Sequence, residues 1–163
     1  MSVRPAENRD IETILRLLVQ VDMVHHEIRP DLFKGPATKY TKAELSGILK
    51  DPDAPVFVFE DAGGRVAGYA MCRVQQHVND NILTDIRTLY LDDLCVDEEK
   101  RGTGVGRALF AYVRDYAAKN GFYNLTLNVW AGNDSAKRFY EACGLKPQKY
   151  GMEMILDGRE QTK

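Results

Sequence analysis

Apolar and polar positions alternate with two different periods along this chain. From Ile11, residues Ile14, Leu15, Leu18, Val21 and Met23 recur at three- to four-residue spacing, which predicts an amphipathic helix. Asn8 stands where a cap belongs, and Asp10 and Glu12 suit the positive end of the helix dipole. Arg29-Pro30-Asp31 breaks the pattern. Thr41 with Glu44 forms a capping box that opens a second, short helix ending near Lys50, with Pro52 and Pro55 beyond it. The pattern then tightens to strands: a short one at Val3-Arg4, one over 56–60, a turn at Gly63-Gly64, and long strands over 65–78 and 84–96. Helical spacing returns over 104–120, with Val105, Leu109, Tyr112, Val113, Tyr116 and Ala117 on one face and Gly121 as the stop. A strand over 124–130, a helix over 134–143 and a last strand over 150–156 complete the chain. The order β-α-α-β-β-β-α-β-α-β predicts an α/β protein whose sheet is antiparallel in its first half and has a crossover helix in its second.

The length, 163 residues, fits one domain, expected to span 1–163. With 44% hydrophobic and 28% charged residues the chain can form a packed core, and a net charge of -2 argues against a nucleic-acid partner. No run of eighteen apolar residues exists, so no membrane span is expected. The N-terminus lacks the apolar stretch of a secretory signal, and Cys72, Cys95 and Cys143 have no CxxC spacing. Together these predict reduced thiols and a cytoplasmic location. The cysteines and His25, His26 and His77 form no spaced ligand pattern, so no metal is expected.

The densest chemistry lies in Lys100-Arg101-Gly102-Thr103-Gly104-Val105-Gly106-Arg107, between a strand and a helix. Three glycines let the backbone approach a ligand closely, and the free N–H groups of the first helical turn favour an anion. Arg101 and Arg107 add positive charge, so the segment suits a pyrophosphate. It is not a P-loop, which needs Lys-Ser/Thr after the last glycine, and position 107 is Arg where a dinucleotide turn has Gly. A nucleotide-binding protein using this turn is the alternative that titration with ATP or NAD would expose.

Arg101-x-x-Gly104-x-Gly106 is similar to the Arg/Gln-x-x-Gly-x-Gly/Ala signature of the GNAT acetyltransferases. Asn133-x-x-Ala136-x-x-x-Tyr140-x-x-x-Gly144-Leu145 resembles that family's second block, with Leu in place of the usual Phe. The resemblance implies a GNAT fold: a mixed, mostly antiparallel central sheet with a splayed parallel strand pair, flanked by helices. It implies acetyl-CoA as co-substrate, bound by Leu94, Cys95 and Val96 along a bulged strand, by Arg101 to Arg107 (through Gly102, Thr103, Gly104, Val105 and Gly106), and by Asn133 and Tyr140. It further implies that the Val96 N–H polarises the thioester carbonyl and that Tyr140 protonates the departing thiolate. Seven residues, about two helical turns, separate Asn133 from Tyr140, so both look the same way. Asn133 also reads as a helix N-cap.

Asp92 and Asp93 are adjacent acids inside an apolar strand, where an unpaired carboxylate is costly. Tyr90-Leu91-Asp92-Asp93-Leu94-Cys95-Val96 resembles the Tyr-Leu-Glu-Asp-x-x-Val of the diamine and polyamine acetyltransferases, and this implies Asp92 as the base. Adjacent strand residues face opposite sides, so one of the two acids is expected to face substrate unless a bulge intervenes. Cys95 has no histidine near it in sequence and reads as a buried core thiol. His25 and His26 fall where the family has its variable acceptor loop, so both are candidates for acceptor binding. The expected activity is transfer of acetyl to a primary amine of a small molecule such as a polyamine or amino sugar. A peptide or protein acceptor and a non-catalytic acyl-CoA-binding module are the alternatives. A homodimer is expected from the family alone.

Overall fold

A computed structural model describes residues 1–158; residues 159–163, the end of the expected single domain, lie outside the described part. Among the described residues five strands form one sheet in chain order: β1 (Ser2–Pro5), β2 (Val56–Glu60), β3 (Val66–Gln75), β4 (Thr88–Val96) and β5 (Asn124–Thr126). The pairings β1–β2, β2–β3 and β3–β4 are antiparallel and β4–β5 is parallel. The helices are α1 (Ile11–Ile28), α2 (Lys42–Ile48), α3 (Val105–Lys119) and α4 (Asp134–Ala142).

Strand alternation sorts the core into two faces. Val56 and Val58 pack with Ile11, Ile14, Leu17 and Leu18 of α1 and Leu45 of α2. Phe57 and Phe59 pack with Val105, Leu109, Phe110 and Val113 of α3. Each fully buried aliphatic side chain contributes about 1.5–3 kcal/mol, so these two stripes hold the helices to the sheet. The α2 start is the capping box read from sequence: Thr41 Oγ1 accepts from the Glu44 N–H at 3.2 Å and Glu44 accepts from the Thr41 N–H at 2.8 Å.

Most expected elements are present, with β3, β4 and β5 shorter than expected. β4 begins at Thr88 rather than 84, because residues 76–87 form a loop in which Gln76 donates to the Asp85 carbonyl. β5 stops at Thr126 rather than 130. The strand expected over 150–156 does not form. Tyr150, Met152, Met154 and Leu156 carry the period-2 pattern that predicts it, but each is 80% exposed or more. Alternation alone does not make a strand, and no strand of the sheet pairs with this segment. An ion pair from Arg29 to Glu153 ties this segment to the end of α1.

Candidate active site

β3 pairs with β4 along its whole length, from Gly68↔Val96 to Gln75↔Thr88. β5 pairs with β4 over Thr88, Leu89 and Tyr90 only. β5 ends at Thr126, so beyond Tyr90 the β4 residues 91–96 have no strand partner on that side, and this unpaired gap is the splay. Asp97 N–H donates to the Ala67 carbonyl on the β3 side at 2.9 Å. Strand N–H groups alternate sides, so the Val96 N–H points into the splay.

The register shifts between Met71 and Cys72: Met71 opposes Asp93, and Cys72 opposes Leu91. Asp92 is therefore the extra residue of a β-bulge. The bulge reverses the alternation. Leu89 and Leu91 before it, and Leu94 and Val96 after it, all pack on the α3 face. Cys95 packs on the α1 face. Both acids consequently face α1, at the apex of the splay.

Their surroundings differ. Asp92 Oδ2 accepts from Lys39 Nζ at 2.8 Å. Asp93 Oδ2 accepts from the Tyr69 hydroxyl at 3.2 Å. Burial pushes the Asp93 carboxyl up to about 6; Lys39 opposes that shift, Asp92 adds to it and the Tyr69 hydrogen bond opposes it. Burial likewise raises the Tyr69 hydroxyl, with the charge of Asp93 acting in the same sense. Tyr140 packs on the opposite face, its ring 6.2 Å from Phe110 and 5.1 Å from Phe139. Burial, then the charge of Asp93, raises its hydroxyl above the usual tyrosine value, so it keeps its proton.

The cradle follows a one-turn 3-10 helix over Glu98–Lys100. Gly102 and Gly104 have φ of 75° and 91°, where a side chain is strained, and a Cβ at either meets open space. Space and conformation thus fit an anionic group lying against the turn. Gly104 caps α3 without a side-chain acceptor, which leaves the N–H groups of Val105, Gly106 and Arg107 without helical partners. The Val105 side chain itself is buried in the core, so only its backbone is available to a ligand. Arg101 turns back, its Nε 3.4 Å from the Val96 carbonyl, and Thr103 Oγ1 donates to the Lys100 carbonyl at 2.6 Å. Gly106 lies against α4: a Cβ there would stand 3.4 Å from Phe139 Cζ. Asn133 caps α4, accepting from the Ala136 N–H at 3.2 Å.

Cys95 is buried with its thiol 3.5 Å from the Leu17 carbonyl, and burial and the Asp93 charge raise it to about 12, so it is a core thiol. His26 shapes the loop after α1, its Nδ1 2.7 Å from the Phe33 carbonyl. His25 stacks at 5.1 Å on Phe33, which meets Trp130 edge-on at 5.4 Å. Burial lowers the His25 pKa; Asp22 opposes this and Lys39 adds to it. Lys39, Tyr69, Phe33 and Trp130 were not among the sequence candidates. Trp130, the single tryptophan, was the one with a compositional signal. The others become visible only through long-range pairing. Among the described residues no cluster of three or more His, Cys, Asp or Glu could hold a metal ion, and no helix is long and apolar enough to cross a membrane.

A mixed sheet with one parallel pair, unpaired beyond Tyr90 and followed by a glycine turn, is the architecture of an acyltransferase. The acetyltransferase (GNAT) family profile matches residues 21–145, and the chain belongs to this family of acetyl-CoA-dependent N-acetyltransferases. Among solved structures, a tetramutant of the BH1408 protein from Bacillus halodurans is 30% identical, over 96% of this chain and all of that one, with a TM-score of 0.90. Glucosamine-6-phosphate N-acetyltransferase from Arabidopsis thaliana is 21% identical, over 96% of this chain and 98% of that one, with a TM-score of 0.70. An aminoglycoside acetyltransferase, meta-AAC0020, from an uncultured soil metagenomic sample, solved with sisomicin, is 16% identical over 96% of both chains with a TM-score of 0.71. The last two likenesses concern the fold. No curated protein matches the sequence.

Proposed function

We propose that the protein transfers an acetyl group from acetyl-CoA directly to a cationic primary amine of a small molecule. The observation that carries this reading is the bulge at Asp92, which turns both acids toward α1 at the apex of the splay. The Lys39 ammonium at Asp92 supports the choice of an alkylammonium, since the protein already seats one there.

In this reading the N–H groups of Val105, Gly106 and Arg107, with Gly102, Thr103 and Gly104, hold the diphosphate, and Arg101 and Arg107 add charge. The free edge at Leu94, Cys95 and Val96 takes the pantetheine arm as an extra strand, and the Val96 N–H stabilises the oxyanion. Asp92 holds the incoming ammonium. The base role, expected of Asp92, passes to Asp93: a carboxyl near 6 is a better proton acceptor than an ordinary one and is still ionised at neutral pH. Tyr140, on the far side of the gap, supplies the proton to the thiolate. Asn133 keeps Tyr140 in position by capping its helix. His25, Phe33 and Trp130 form an aromatic wall beside the amine, with His26 setting the loop that carries Phe33.

Titration calorimetry with acetyl-CoA, followed by thiol release with a panel of diamines, amino sugars and a peptide with a free N-terminus, tests the proposal. Micromolar acetyl-CoA binding and thiol release that depends on a small cationic amine are expected. No binding of acetyl-CoA, or binding with no thiol release from any amine, would overturn it.

A further inference from the structure

Lys39 lies in the segment between α1 and α2, 53 positions from the acid it meets. Its Nζ is 2.8 Å from Asp92 Oδ2, and the charge of Asp93 acts on it as well. It stands 5.5 Å from the centre of the Tyr40 ring, and its field reaches His25. Its side chain is 46% exposed and that of Asp92 18%, so solvent reaches the lysine end of the pair. Lys42 and Lys137, by contrast, pair with Glu12 and Glu141 on exposed helix surfaces. Lys39 is thus a tethered primary amine at the apex of the splay, beside the two acids and opposite Tyr140.

We infer that Lys39 is itself an acetylation site: the protein acetylates its own Lys39 Nζ, and this removes the resident cation from Asp92. The inference rests on the acetyl transfer proposed above. Burial opposes the Lys39 charge, but the hydrogen bond and charge of Asp92, with the charge of Asp93, outweigh it and raise its pKa. The resting side chain is therefore an ammonium and gives one proton to Asp93 first. The neutral nitrogen forms a bond to the thioester carbonyl carbon as the C–S bond breaks. Tyr140 protonates the departing thiolate. The second proton lost from nitrogen restores Tyr140, and Asp93 releases its own to water. Lysine ammonium and thioester thus become neutral acetyl-lysine, free thiol and one proton. Asp92, no longer paired, is then open to the ammonium of an external acceptor.

The test incubates the full chain with isotopically labelled acetyl-CoA and no added amine, and maps the label by peptide mass spectrometry. One acetyl group at Lys39 is expected, appearing at a first-order rate independent of protein concentration. Tyr140→Phe should slow labelling at Lys39 roughly a hundredfold while leaving any background at exposed Lys42 and Lys119 unchanged. Calorimetry on that variant checks that acetyl-CoA still binds. As a second readout, Lys39→Gln, neutral like the acetylated side chain, should lower KM for 1,4-diaminobutane by up to about fivefold, the equivalent of one exposed ion pair. Label absent from Lys39 in protein that still releases thiol with diamines overturns this inference and leaves the acetyl-transfer reading standing. Labelling that tracks protein concentration, or that Tyr140→Phe leaves unchanged, overturns it too. A protein that binds no acetyl-CoA overturns both.

Discussion

The two edges of β4 are built from one stretch of chain and treated in opposite ways. Toward β3, backbone pairing runs the length of the strand and is interrupted once, at Asp92. Toward β5, it ends after three residues. A paired edge satisfies its own N–H and C=O groups and so contributes to stability. An open edge leaves those groups for a ligand. Changes on the paired side should therefore act on folding, and changes around the open side on acetyl-CoA or catalysis.

The largest effect should come from Tyr140→Phe: kcat falls about a hundredfold or more, with acetyl-CoA affinity held within about threefold, measured by thiol release and calorimetry. An unchanged kcat would remove Tyr140 from the chemistry.

Asp93→Asn should lower kcat/KM by a similar order and abolish a rise in rate through pH about 6. Its effect on stability has the opposite sign. The folded carboxyl holds its proton more tightly than the unfolded one, so the fold is favoured below pH 3.8 and loses that contribution as pH rises through about 6. The amide should accordingly raise Tm at neutral pH, by an amount that shrinks as the pH is lowered toward 4. A variant less stable than wild type at neutral pH contradicts the assignment.

Gly68→Ala probes the paired edge. The added Cβ would stand 2.7 Å from the Cys95 carbonyl oxygen, a backbone atom. A loss of about 1–3 kcal/mol is expected, seen as a lower melting temperature with acetyl-CoA affinity retained. Gly104→Ala probes the open side. At φ 91° the Cβ strains the backbone by about 1–2 kcal/mol, and the turn relaxes away from the geometry that aims its amides. Acetyl-CoA affinity should fall about tenfold, with a melting temperature closer to wild type than that of Gly68→Ala.

What the sequence disclosed divides along the same line. The glycine turn and the Asn133–Tyr140 block are local: their spacing places them on one turn or one helix face, and both lie where expected. The capping box at Thr41 is local too. The common orientation of Asp92 and Asp93 was not legible, because it depends on which β3 residue opposes which β4 residue. Tyr69 and Lys39 reach the acids from 24 and 53 positions away, and no periodicity encodes that meeting. For the 150–156 segment the error ran the other way, since alternation was present and pairing was not.

The close approach of Gly106 to Phe139 joins two parts of the molecule that chemistry would otherwise keep separate. Phe139 precedes Tyr140 on α4, so the turn proposed to hold the diphosphate also packs against the helix that seats the proposed proton donor. In the proposed reading, seating the phosphates and aligning the Tyr140 hydroxyl become one mechanical event; a methyl group at residue 106 would only touch Phe139, and a larger side chain there should disturb both at once.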